Sequence, residues 1–217
     1  MASKSTKGEI LAKFFDDGEY TALFADGAVS AASGYAAGQQ AYAVFQNGEA
    51  VTVKDVEKNI KVLELLTASA KLNATIAKVS GVVPQLAVVL GVCGGTSALS
   101  AANADVCVMA EDAELFFTAP FTAAAKGDKA EGAGTAAAAA KAGVAAIVVK
   151  DAAEAAEKAA HIVGLLPANN LTGPAIFEFE QPAEALKAAA TPEKAAAALI
   201  DKDSAVELYA GFGKKVY

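Results

Sequence analysis

Arginine and tryptophan are absent from the 217-residue chain, and histidine occurs once, at His161. All 18 basic residues are therefore lysines, and 25 acidic residues outnumber them to give a net charge of −7 at pH 7. Because this acidic balance repels phosphate backbones and anionic lipids, we expect no nucleic-acid partner. Without guanidinium groups, the chain also has no bidentate clamp for a phosphate or a carboxylate.

Cysteine is almost as scarce, with only Cys93 and Cys107 present. Two cysteines and one histidine are too few for a zinc site built from these side chains, so we expect no metal. Both cysteines lie in apolar stretches, which indicates buried free thiols in a reducing cytosol. The N-terminus has no apolar core typical of a signal peptide. The longest apolar run, 82–93, is interrupted and shorter than the ~20 residues that span a bilayer. We therefore predict a cytoplasmic protein without membrane insertion.

Alanine, by contrast, fills 56 positions, about a quarter of the chain. Hydrophobic residues make up 54% of the sequence and the mean hydropathy is +0.35, so the chain has enough apolar surface to build a sizeable core. The length fits one domain, or one domain with a short appendage.

The first third of the chain predicts a helix and a meander of strands. The predicted helix covers 8–15, and turn residues then separate short strands over 20–24, 28–35 and 40–45. Asp16 and Asp17, in the turn after the helix, are expected to be solvated. Apolar residues recur every three or four positions over 54–79, which predicts a long helix.

The remainder alternates strands with helices, as in α/β domains. The unbroken apolar runs Leu86–Leu90 and Val106–Ala110 predict adjacent central strands buried on both faces, joined through a small-residue helix over 96–103. Two further strands are predicted, over 115–118 and 144–149.

The alanine-rich segment 123–143 favours a helix interrupted by Gly132 and Gly134, and a low-complexity loop is the alternative. Asp151 is expected to cap a helix that ends near Leu165 and carries His161 on its solvent face. Two short helices follow, the second capped by Thr191.

The best chemical candidate is the segment Gly91–Ser97, which begins with an expected turn over 91–95 and lies between a buried strand and a helix. Glycine lets a ligand approach the backbone closely, and the free N–H groups that begin a helix suit an oxyanion or a phosphate. The segment matches neither a Walker loop nor a dinucleotide fingerprint, and a packing turn is the alternative. No base accompanies its hydroxyls, because His161 is expected on the surface and Asp105 as a turn or cap residue.

Five segments, in chain order, carry motifs of one family. They are FFDDGEYTALF at 14–24, the hairpin 33–45, the run 80–120, the motif 141–145 and Leu-Pro-Ala-Asn-Asn at 166–170. The run 80–120 is the most specific, since it is similar to a family stretch that begins SGVVPQISVIMGPCAGGA. Together these segments resemble the carboxyltransferase family of biotin-dependent acyl-CoA carboxylases and decarboxylases, specifically its N-terminal crotonase-like domain.

The resemblance implies a crotonase-like spiral of β-β-α units around a mixed sheet over residues 1–180, with a helical extension over 181–217. It implies carboxyl transfer between carboxybiotin and the α-carbon of an acyl-CoA. Backbone N–H groups then stabilise the enolate, and no covalent nucleophile is needed. The family's oxyanion turn falls on Gly94, Gly95 and Thr96.

Cofactors and partners follow from the same resemblance. It implies a CoA thioester as substrate, biotin on a partner carrier protein, and no metal. Ser97 is a candidate substrate-binding residue. Lysine is the only cation type available for the CoA phosphates, which makes Lys71 and Lys78 candidates, with solvated helix residues as the alternative. The family's C-terminal half is expected from a partner subunit or from assembly as a homo-oligomer.

Departures from the family keep a second function open. Glu49–Val53 stands where the family has G-G-S-x-G, and nothing between Leu65 and Lys71 matches its D-S-G-G-A-R loop. Ala146 replaces a family histidine. The alternative is a non-catalytic scaffold or assembly subunit that keeps the fold.

Overall fold

The computed structural model describes residues 6–26, 29–46, 56–173, 183–201 and 204–213. The elements of the first part are α1 Lys7–Phe14, β1 Tyr20–Asp26, β2 Val29–Ala36, β3 Gln39–Gln46 and α2 Val56–Val79. The middle part contains β4 Leu86–Val89, β5 Val92–Gly94, α3 Thr96–Ala102, β6 Val106–Ala110 and β7 Glu114–Phe116. The last part contains α4 Pro120–Ala125, α5 Ala136–Lys141, β8 Ile147–Val149, α6 Ala152–Leu165, α7 Ala183–Lys187 and α8 Pro192–Leu199.

The predicted opening meander is confirmed as an antiparallel sheet, β1-β2-β3. Residue 28 of the second predicted strand and residues 54–55 of the predicted long helix lie outside the described residues. The carboxylate of Asp16 accepts the N–H groups of Ala37 and Gly38, both at 2.8 Å, in the turn between β2 and β3. We had expected Asp16 to be solvated. The structure shows instead that it fixes this hairpin turn.

A parallel sheet in the order β4-β6-β8 forms the centre of the molecule. All five residues of β6 are buried, and the predicted pairing of 86–90 with 106–110 is confirmed. The prediction that both strands are central is wrong for β4, which lies at the edge of this sheet in the described part of the chain and buries only Val89. An apolar run indicates burial, but it does not show how many strands pair beside it.

Helices cover both faces of the central strand. Val106 and Val108 pack in a cluster with Ala155 and Ile162 of α6. Cys107 and Met109 point to the other face, into a cluster that contains Ala101 of α3 together with Ala136 and Ala139 of α5. The segment 123–143 therefore forms helices at both of its ends, α4 and α5, on either side of a glycine-containing loop.

Helix α6 packs on α1, and Val163 of α6 joins the cluster around Leu11 and Phe15. On the predicted solvent face of α6, Glu154 and Glu157 are exposed and His161 is half-buried, and Lys13 Nζ lies 2.7 Å from Glu157 Oε1. The predicted caps are confirmed. Asp151 accepts the N–H groups of Ala153 and Glu154, and Thr191 accepts that of Lys194.

The C-terminal residues are only partly helical. Helices α7 and α8 pack on each other, and the segment 204–213 then returns to the central sheet. There the N–H of Tyr209 donates to the carbonyl of Ala146 at 2.8 Å, and Val206 joins the cluster under α6. The boundary at residue 180 between a domain and an extension stays a prediction.

Candidate active site

The glycine segment begins with a short strand rather than with the predicted turn over 91–95. Strand β5 pairs in parallel with β7, and Gly95 then leads directly into α3. Gly95 adopts φ 61° and ψ −125°, a conformation that is essentially restricted to glycine. No heavy atom lies within 4 Å of the position that a Cβ would take there. The backbone at Gly95 is therefore open to a ligand.

The N–H groups of this segment are not all free. The N–H of Gly95 donates to the carbonyl of Phe116 at 3.0 Å, so Gly95 contributes its conformation rather than a donor to the site. The first N–H bond within α3 runs from Leu99 to Gly95 at 3.2 Å, which leaves the N–H groups of Thr96 and Ser97 without an intrahelical acceptor. Successive peptide groups of a strand point to opposite sides, so the N–H of Gly94 points away from β7. Thr96, Ser97 and Gly94 thus keep N–H groups that neither α3 nor β7 occupies.

Phe116 fixes the position of the turn through its packing. A Cβ on Gly94 would lie 2.8 Å from the Phe116 ring, and a Cβ on Gly134 would lie 3.1 Å from it. The loop that carries Gly134 is fixed in turn, because the N–H of Leu115 donates to the Gly134 carbonyl at 2.7 Å. The ring therefore sits between two glycines that each allow its close approach.

An open apolar space of about 450 Å³, which we call the α3–α5 hollow, adjoins the Phe116 ring. It lies between α3, β7 and α5, and every residue that lines it is apolar or glycine. Leu99, Phe117 and Val144 form its exposed rim, with Phe117 70% exposed. No sequence motif predicted this hollow, since its walls come from three separate elements.

The hydroxyls and lysines proposed for substrate binding occupy different places. Ser97 is half-buried on the first turn of α3, and the Thr96 side chain is exposed. Helix α2 packs along α3, where the Ser100 hydroxyl donates to Asn73 Oδ1 at 3.1 Å. Lys71 and Lys78 are exposed and lie on the other side of α2 from Asn73. The structure therefore brings Ser97 to the turn but does not bring the two lysines there.

A known family covers most of the chain, since the carboxyl transferase domain family matches residues 49–216. The chain belongs to the carboxyl transferase domain family. No protein of curated function matches it. This membership agrees with the sequence resemblance, and the members and structural neighbours are enzymes.

Solved structures confirm the crotonase-like α/β fold of this carboxyl transferase domain. Transcarboxylase 12S, solved with hydrolysed methylmalonyl-CoA bound, superimposes with a TM-score of 0.68 at 23% identity over 82% of this chain. A single-chain, multi-domain long-chain acyl-CoA carboxylase gives 0.67 at 17% identity over 97% of this chain. A malonate decarboxylase hetero-dimer from Pseudomonas gives 0.52 at 20% identity over 66% of this chain and 78% of its own.

The carboxyl transferase domain described here is shorter than most of these neighbours. The match spans 44% of the transcarboxylase 12S chain and 28% of the long-chain acyl-CoA carboxylase. At such identities the likeness establishes the fold, and the activity has to be argued from the site.

Neither Asp105 nor His161 lies at the turn of this carboxyl transferase domain as a general acid or base. Asp105 Oδ2 accepts the N–H of Gln85 at 2.8 Å, so it joins the starts of β4 and β6. This agrees with the prediction that Asp105 is a turn or cap residue. His161 lies on α6, on the opposite face of the central sheet from α3.

Both cysteines are free, and neither has the properties of a nucleophile. Cys107 is buried, and burial together with the nearby Cys93 raises its pKa to about 11. Cys93 is only half-buried, and burial raises its pKa as well. Because the thiolate is the reactive form, both side chains are inert near neutral pH.

In the ranges that the structure describes, no cluster of three or more His, Cys, Asp or Glu side chains is suited to a metal ion. None of the helices described is both long enough and apolar enough to cross a bilayer.

Proposed function

We propose that this carboxyl transferase domain binds an acyl-CoA and acts in the transfer of a carboxyl group between that thioester and biotin on a separate carrier protein. The observation that carries the proposal is the open glycine turn before α3, found in a chain whose family match covers residues 49–216. A thioester oxygen needs a close approach to backbone N–H groups, and the open space at Gly95 permits it.

The role of the chain is to stabilise negative charge. When the bond between the α-carbon and the carboxyl group breaks, its electron pair moves onto the thioester oxygen and forms an enolate. The N–H groups of Thr96 and Gly94 donate to that oxygen, and the positive end of α3 adds a smaller attraction. Ser97 lies on the same first turn and is placed to contact the thioester. Biotin, when bound, would supply the ring nitrogen that accepts or delivers the carboxyl group, and as that nitrogen accepts the carboxyl group its proton would pass to the α-carbon of the enolate.

Lys71 and Lys78 are proposed as ligands of the CoA phosphates. They are exposed cations in a chain without arginine, and a phosphate on a long flexible CoA arm does not have to lie beside the turn. Their position on the outer side of α2 makes this the weaker part of the site. Lys71→Gln and Lys78→Gln are the direct substitutions to examine.

A second polypeptide or a second copy completes the site in this proposal. The chain covers 44% of transcarboxylase 12S, whose structure is described as a hexamer assembly, and the malonate decarboxylase neighbour is a hetero-dimer. We further propose that residues 1–180 form the carboxyltransferase domain and 181–217 an extension. The free thiols fit a cytoplasmic location.

Thr96→Pro tests the donor role directly. Proline is well tolerated at the first position of a helix, so the variant removes one N–H while keeping the start of α3. Thr96→Ala is the matched control, because it removes the hydroxyl and keeps the N–H. With a candidate partner subunit present, we expect the proline variant to lower kcat about 10²–10³-fold and the alanine variant to change it little.

Calorimetry decides between this function and the alternative of a non-catalytic scaffold. Acetyl-CoA, malonyl-CoA and methylmalonyl-CoA are titrated into the full chain, with and without a candidate partner subunit. Binding that weakens in Thr96→Pro supports the enzyme. If none of the three binds at millimolar concentration in either case, the scaffold function replaces it.

A further inference from the structure

We propose that the α3–α5 hollow is an acyl-chain site, and that it selects thioesters with medium-length or longer apolar chains over acetyl-CoA. This inference rests on the proposed function, because it places the acyl group of the CoA thioester beside the glycine turn. It goes beyond that function by naming the substrate class and the residues that set it.

The hollow adjoins the turn through Phe116, and its lining begins two residues after Thr96, at Ala98. The carbonyl of Phe116 accepts the Gly95 N–H, and its ring packs on Gly94 while lining the hollow. Ala98 and Leu99 lie on the first turn of α3. An acyl chain whose thioester oxygen meets the N–H of Thr96 can therefore extend along α3 into the hollow.

The chemistry of the walls matches an alkyl chain and no polar ligand. Every lining residue is apolar or glycine, so the space offers a polar group no side-chain hydrogen bond. The volume of about 450 Å³ falls in the range of ~300–1,000 Å³ typical of small-ligand pockets. Because a methylene needs roughly the ~30 Å³ of a water molecule, the hollow of about 450 Å³ has space for roughly fifteen methylene groups.

Alanines create this space. Ala102 of α3, Ala138 of α5 and Ala142 directly after it line the hollow, and none of the three is buried. A larger side chain at any of these positions would project into the hollow. Ala137, next to Ala138 on α5, is exposed and is not part of the lining, which supplies a matched control position.

The test measures the Kd of acetyl-, butyryl-, octanoyl- and dodecanoyl-CoA for the full chain by calorimetry, below the concentrations at which the longer thioesters form micelles. Each fully buried methylene is worth about fourfold in Kd. We expect octanoyl-CoA to bind at least tenfold more tightly than butyryl-CoA. Ala138→Leu and Ala102→Leu should abolish that gain and leave acetyl-CoA unchanged, whereas Ala137→Leu should keep the gain.

The outcomes separate this inference from the proposed function. If acetyl-CoA binds at the turn and octanoyl-CoA binds no more tightly, the acyl-chain site is overturned and the proposed function stands. If no thioester binds, both fail. If the leucine variants change sedimentation or partner binding and leave the chain-length preference unchanged, the hollow is a protein interface, and the inference is wrong. Circular dichroism of both leucine variants identifies any loss of fold, and two independent positions guard against it.

Discussion

The two faces of the central strand β6 are both covered by alanine-rich helices, but the helices on one face also leave an open hollow. On one face, Ala155 of α6 is 0% exposed, and it lets the helix lie close to Val108 and its neighbours. On the other face, Ala136 and Ala139 of α5 are buried against Cys107 and Met109. The outer alanines of α3 and α5, Ala102 and Ala138, instead line the hollow.

The difference shows that alanine has two uses in this chain. Where another element covers it, as α1 and the sheet cover α6, its small side chain permits close packing at high density. Where no described element covers it, as at Ala102 and Ala138, the same small side chain leaves room beside the glycine turn. Composition alone therefore cannot distinguish a packing residue from one that shapes a site.

Leucine substitutions on the two faces provide the largest expected contrast in stability. Ala155→Leu adds three carbons at a position with 0% exposure, so overpacking should lower the free energy of unfolding by about 3 kcal/mol. Ala138→Leu extends into open space and should change it by less than about 0.5 kcal/mol. Urea unfolding followed by circular dichroism measures both. An equal loss in the two variants would mean that the hollow is closed in solution.

The next largest expected effect is a loss of stability at alkaline pH. It comes from the buried thiol of Cys107, on the hollow side of β6. The pKa of Cys107 is raised from 9.0 to about 11 in the folded chain. The stability that the protonated thiol contributes to the folded chain is therefore fully present below pH 9, and it is lost as the pH rises through about 11. The unfolded chain then releases a proton that the folded chain retains, which should lower stability by about 2 kcal/mol by pH 11.

Cys107→Ala should remove most of this alkaline slope in urea unfolding measured between pH 8 and 11. Cys93→Ala should remove less of it, because Cys93 is only half-buried beside the turn. If the slope is unchanged in Cys107→Ala, another group causes the alkaline loss of stability.

The smallest expected contrast is between Gly→Ala substitutions in two helices. The sign of the change in stability is the informative result. Gly164 of α6 lies so close to the turn after β2 that an added Cβ would be 2.6 Å from the Cβ of Ala37. Helix propensity alone favours Gly164→Ala by up to about 1 kcal/mol, but this overlap should reverse the sign to a loss of about 1 kcal/mol.

Gly8 of α1 is the control, because nothing lies within 4 Å of its added Cβ. Gly8→Ala should stabilise the chain by about 0.5 kcal/mol. Thermal unfolding of the two variants checks the pair. Stabilisation by Gly164→Ala would show that α6 moves away from the hairpin at little cost.

Local sequence features predicted those parts of the fold that depend on neighbouring residues. Period and turn residues predicted the meander, the long helix α2 and the strand β6, and the caps at Asp151 and Thr191 occur where they were expected. The order of motifs also predicted the family, and the family match over residues 49–216 confirms it. These features succeed because capping, turns and alternation operate over only a few positions.

Pairing across the chain was harder to predict. Strand β5 was expected to be part of a turn, because three residues that include a cysteine and a glycine carry no strand signal, and only its partner β7 makes it a strand. The position of β4 at the sheet edge likewise depends on which strands pair beside it. Asp16 was expected to be solvated, and its bonds to Ala37 and Gly38 span 21 and 22 residues.

The sequence by itself determined that the chain is acidic and lacks arginine, that its helices are built from alanine, and that a glycine segment precedes α3. The tertiary structure decided which donors of that segment are free, since the Gly95 N–H is taken by Phe116, a residue 21 positions away. It also decided that two sets of alanines have different surroundings. Both results depend on contacts between distant segments, and those contacts form only when the sheet assembles and brings α3, β7 and α5 together.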